Sequence, residues 1–118
     1  MKVGDGVKKV TQPTESSWRV VPGETPGTIR FSGEVDFSVT PKVRERFLPL
    51  LDTGTPEIVL DLSELAYIDS SGLALFIEAR NQLLAAGRSI RIAAISPQVH
   101  KLFNLTQLGE LFQLPEDR

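Results

Sequence analysis

Apolar positions change their period several times along the chain, and each change marks an element. Trp18 to Val21 and Thr28 to Phe31 are short β-rich runs, and Pro22-Gly23-Glu24-Thr25-Pro26-Gly27 between them is built of turn residues. This pattern predicts an antiparallel hairpin. At Val39, Val43, Phe47 and Leu50 or Leu51 the spacing becomes helical. Thr40-Pro41 reads as the start of that helix, with Thr40 as cap and a proline where no amide is missed. Because a proline inside a helix costs about 3 kcal/mol, Pro49 is expected to end or kink this one near Leu48.

The run Ile58-Val59-Leu60-Asp61-Leu62 has the composition of a central strand buried on both faces of a parallel sheet. Ser63 to Ile68 reads as a loop. A second helix is predicted from about Ser70 to Ala86, with Leu73, Phe76, Ile77, Leu83 and Leu84 on one side and Gly87 as its stop. Ser89 to Ile95 is a further strand. Ser96-Pro97 repeats the cap-then-proline start, for a helix that turns Val99, Leu102 and Phe103 to the core. Leu111 to Leu114 could close the sheet as a last strand. Met1 to Ser17 carries no sustained period and is expected to be a mobile tail or a loosely held first strand. The expected fold is therefore α/β, in the order β-β-α-β-α-β-α-β, with helices packed on a mixed sheet of four to five strands.

Composition narrows the function. A chain of 118 residues fits one domain, and its 41% apolar and 24% charged residues suit a soluble core. Thirteen basic against fifteen acidic residues leave a formal charge of -2, which supplies no attraction to nucleic acid or anionic membrane. The chain has no cysteine, so thiol catalysis, disulfides and thiolate metal sites are excluded, and a cytoplasmic setting is expected. No run approaches the roughly 20 apolar residues of a membrane span. A serine hydrolase would need a Gly-x-Ser-x-Gly elbow and a base, but that elbow is absent and His100 is the single histidine. His100 reads as a solvated helix residue. Without a glycine-rich phosphate loop or a metal-ligand cluster, no enzyme activity, cofactor or metal is expected.

Asp69-Ser70-Ser71-Gly72 stands directly before the second helix. On residue chemistry alone it is a cap: the Asp69 carboxylate accepts amides, the serines are small and polar, and Gly72 allows close backbone approach. The same position leaves hydroxyls at an exposed helix start, where free N–H groups and the dipole tolerate an added phosphate.

The wider segment from Glu57-Ile58-Val59-Leu60-Asp61-Leu62 through Tyr67-Ile68-Asp69-Ser70-Ser71-Gly72-Leu73 resembles the signature of the STAS domain of anti-sigma-factor antagonists. Gly33-Glu34-Val35-Asp36 resembles that family's Gly-Glu-Leu/Ile-Asp segment. Ile95-Ser96-Pro97-Gln98-Val99, Leu102-Phe103 and Leu105-Thr106-Gln107-Leu108 resemble its third helix and Thr/Ser-Gly-Leu exit, with Gln107 where glycine is common. The matches run in family order from about Trp18 to Leu114.

The resemblance implies a STAS domain over residues 17–118, preceded by a flexible tail over residues 1–16. It implies an anti-sigma factor with serine kinase activity as partner, phosphorylation of Ser70 as the off-switch, and a serine phosphatase to reverse it. Asp36, Asp69, Ser70, Ser71 and Gly72 would meet the partner, with Asp36 close to the phosphorylation site. The alternative is a STAS scaffold in a stress-signalling or transporter assembly. The family's C-terminal helix is expected to be short or absent, so an apolar strip could support a weak homodimer.

Overall fold

Strands β1 (Trp18–Pro22) and β2 (Thr28–Val35) open the part of the chain that the computed structural model describes, residues 17–115. The tail expected over residues 1–16 lies outside the described residues. The two strands pair antiparallel from Trp18 opposite Gly33 to Pro22 opposite Ile29, and the turn between them is closed by Gly23 N donating to Thr28 O at 2.7 Å. Helix α1 (Thr40–Phe47) leads through a 3₁₀ turn (Leu48–Leu51) to β3 (Glu57–Ile68). Helix α2 (Ser70–Ala85), β4 (Ser89–Ile95), α3 (Pro97–Leu105) and a second 3₁₀ turn (Gly109–Phe112) complete the described order. The sheet order is β1-β2-β3-β4, with β3 parallel to both neighbours.

Because β2, β3 and β4 are laid down in sequence order, two crossovers of the same right hand put α1 and α2 on the same face of the sheet. The core is therefore one layer between sheet and helices. Five phenylalanine rings join its parts. Phe31 of β2 meets Phe47 of α1 and Phe76 of α2 with ring centroids 4.9 and 5.0 Å apart, and Phe76 faces Phe103 of α3 and Phe112 at 6.4 and 6.5 Å.

This one-sided layering corrects the expectation of a strand buried on both faces. Ile58, Leu60 and Leu62 are fully buried, whereas Val59 and Asp61 are half-exposed on the opposite face. That face carries ion pairs, Arg91 with Glu57 at 3.1 Å and Arg30 with Asp61 at 4.0 Å. Nor is Ser63–Ile68 a loop, since β3 continues to Ile68. The register against β2 shifts twice, so the buried positions become Leu62, Leu65 and Ile68 and the two-residue alternation disappears.

The closing strand expected at Leu111–Leu114 is also corrected. Gly109–Phe112 is a 3₁₀ turn, with Phe112 driven into the phenylalanine cluster, so the described sheet has four strands. Leu84, expected in the core, lies 47% exposed. Gly87 does stop α2: with φ +74° it lets Gly87 N and Arg88 N donate back to Leu84 O and Leu83 O. No helix among the described residues is long and apolar enough to cross a membrane.

Candidate functional site

β2 and β3 both end at the same edge, with Val35 opposite Ile68, so the segments that follow them are delivered side by side. Asp36 follows β2 and Asp69 follows β3. Asp69 has an extended backbone at the N-cap of α2, and its Oδ1 accepts from the amides of Ser71 at 3.0 Å and Gly72 at 3.3 Å. The same oxygen accepts from Ser71 Oγ at 2.6 Å. Oδ2 reaches across to accept from Phe37 N at 2.9 Å. One carboxylate thus caps the helix and clamps the neighbouring loop.

That loop is held throughout. Asp36 Oδ1 accepts from Ser38 N and Ser38 Oγ, and Asp36 O accepts from Val39 N and Thr40 N at 3.0 Å. The expected cap role of Thr40 is corrected here: the N-cap position is Val39, Thr40 lies inside α1, and Pro41 follows it. Thr40 Oγ1 instead lies 2.7 Å from both Asp36 O and Ser71 Oγ. Three oxygen contacts along Asp36, Thr40, Ser71 and Asp69 are served by two hydroxyl protons. Ser71 gives its proton to the charged Asp69, and Thr40 shares its own between Asp36 O and Ser71 Oγ. Ser96 likewise stands at the N-cap of α3, but its hydroxyl donates to Leu65 O at 2.6 Å and ties α3 to β3.

Partial withdrawal from water raises the pKa of Asp69, but donation from the Ser71 hydroxyl and the amides of Gly72, Phe37 and Ser71 outweighs it. The balance holds the carboxyl below its ordinary value. It is the charged form that organises the site.

Ser70 is the first helical residue and is exposed, whereas Ser71 is half-buried in the hydroxyl chain and Gly72 is buried. A Cβ on Gly72 would lie 2.4 Å from Ile68 Cγ1, so only glycine lets α2 start this close to β3. The helix start differs from expectation in one respect. The amides of Ser71 and Gly72 are not free for a phosphate, since Asp69 already occupies them. Beside Ser70 runs a groove of about 340 Å³ whose walls include Tyr67, Ile68, Leu73, Val99 and Leu102.

Asp36, Asp69, Ser70, Ser71 and Gly72 are therefore brought to one sheet edge, although no hydrogen bond joins Asp36 directly to Ser70 among the described contacts. Phe37 and Thr40 were missed as site residues. Thr40 was hidden by its cap-like place before Pro41. The signal for Phe37 was its position off the apolar face marked by Val39, Val43 and Phe47.

Comparison with known proteins yields a family and a fold. The STAS domain is the family description that matches, over residues 19–117. An anti-sigma-B factor antagonist of Staphylococcus aureus is 30% identical over 88 residues, covering 75% of this chain and 82% of that one. The crystal structure of an anti-sigma factor antagonist from Mycobacterium paratuberculosis superposes with TM-score 0.74 at 22% identity, covering 92% of each chain. The Bacillus cell fate determinant SpoIIAA in its phosphorylated form gives TM-score 0.55 at 25% identity, covering 85% of this chain and 92% of the other.

Proposed function

The chain belongs to the STAS domain family, and from that premise we propose that it is an anti-sigma-factor antagonist switched by phosphorylation of Ser70. In its unmodified form it binds an anti-sigma factor and releases the sigma factor that the latter holds. The anti-sigma factor is also a serine kinase that transfers phosphate from ATP to Ser70 Oγ, and a serine phosphatase restores the active form. The contact surface is the sheet edge where Asp36, Asp69, Ser70, Ser71 and Gly72 meet. The setting is the cytoplasm, where ATP and sigma factors work, and a weak homodimer belongs to the same proposal.

The observation that carries the reading is the contrast between the two serines. Ser70 is exposed at the first position of a capped helix, while Ser71 is half-buried with its proton committed to Asp69. A kinase can reach the first hydroxyl and must dismantle the site to reach the second. The names of the relatives, one of them in a phosphorylated form, support the same reading.

The test is incubation with ATP and the anti-sigma-factor kinases of the same genome, followed by peptide mapping. One phosphate on Ser70, and none on Ser70→Ala, is the expected result. Labelling of Ser70→Ala to the wild-type level would refute the site, and a chain that binds its partner equally well with and without the phosphate, or that binds it and takes up none, would favour the scaffold reading.

A further inference from the structure

Among the described residues Phe37 is the most exposed large apolar side chain, at 76%. Scattered exposed apolar residues are ordinary on protein surfaces, and Leu105 on α3 is 75% exposed. Phe37 differs in lying outside helix and strand while its backbone is held by the two aspartates of the site. The four consecutive amides from Phe37 to Thr40 all donate, the first to Asp69 Oδ2 and the other three to Asp36. The segment gives up its freedom to hold an aromatic ring in water. An aromatic side chain on a backbone ordered before binding is the economical form of an interface anchor, because little entropy remains to be lost on docking.

The placement says what the anchor serves. Phe37 hangs from one oxygen of Asp69, and the first amides of α2, which carries Ser70, hang from the other. Tyr67, half-exposed and two residues before Asp69, lines the groove that Ser70 also lines. A partner that covers Ser70 therefore meets apolar surface on this same edge.

We propose that Phe37 is the hydrophobic anchor of the contact with the anti-sigma-factor kinase, inserted into an apolar pocket of that protein, and that Asp69 aims it. The proposal rests on the function proposed above. It adds a residue and a division of labour: Phe37 supplies affinity, and Ser70 supplies the switch.

The probe is the purified anti-sigma-factor kinase of the same genome that phosphorylates the wild-type chain. Phe37→Ala should weaken binding about 30-fold, as loss of a central aromatic anchor does, and Phe37→Leu should recover part of it. In the kinase reaction the loss should appear as a raised KM for the Phe37→Ala chain with kcat unchanged, since the ring touches no reacting atom. An unchanged melting temperature, expected for so exposed a side chain, separates this from misfolding. Wild-type phosphorylation with Phe37→Ala binding within threefold of wild type would overturn the anchor alone. So would a loss of self-association on Phe37→Ala without loss of kinase binding. A wild-type chain that no such kinase binds or modifies would overturn the proposed function and the anchor with it.

Discussion

Asp69 serves three neighbours with two oxygens: the amides of α2, the Ser71 hydroxyl and the amide of Phe37. All three donate to the carboxylate, so the charged form is favoured in the folded chain more than in the unfolded one. With the folded pKa depressed, the resulting stability is fully present above the ordinary value of about 4 and is lost as pH falls through the lowered one. Titration followed by NMR should place the Asp69 carboxyl below its ordinary value, and Ser71→Ala should move it back up. Asp69→Ala, which empties the cap and frees the Phe37 amide, should cost about 1 to 2 kcal/mol in urea unfolding. The hydroxyl of Ser70 takes no part in this balance. Ser70→Ala should accordingly leave stability within about 0.5 kcal/mol of wild type, while abolishing phosphorylation and leaving partner binding intact.

At the level of elements, the two helices that frame the groove end by the same device with different residues. α2 exits through Gly87 at φ +74°, and α3 through Gln107 at φ +61°. In both, the next two amides return to the last turn, Gln107 N to Asn104 O and Leu108 N to Phe103 O in α3. A side chain in this left-handed conformation is strained, and Gln107 is exposed, so its amide contributes no buried packing. Gln107→Gly should therefore stabilise the chain by about 0.5 to 1 kcal/mol, read as a higher melting temperature. Gly72 is the opposite case. Its Cβ would strike Ile68, so Gly72→Ala should cost about 1 to 3 kcal/mol by overpacking and should slow Ser70 phosphorylation by pushing the helix start off the strand.

For the whole molecule, the phenylalanine cluster makes sheet, helices and C-terminal turn one cooperative body, and Phe76 touches the rings of Phe31, Phe47, Phe103 and Phe112. Phe76→Ala should cost about 3 to 5 kcal/mol, enough to consume much of the stability of a small domain. Ser70, the proposed switch, is exposed outside this cluster. Phosphate on Ser70 adds roughly 1.5 to 2 negative charges beside Asp69 at an exposed position, so the melting temperature should change little. Partner affinity should fall about 30-fold to 1000-fold, measured by titration at physiological salt. Local chemistry made much of this legible from residues alone. The hairpin turn, the proline that ends α1, the Asp69 cap, the Gly87 stop and the Ser70 helix start all depend on neighbours within a few positions. What depended on distant partners was not legible. Whether Val59 is covered depends on which face two crossovers choose, and whether Leu111–Leu114 is a strand depends on the hole that Phe76 and Phe103 leave for Phe112. Thr40 and Ser71, 31 residues apart, meet because two parallel strands end in register, and no local pattern in either segment encodes that meeting.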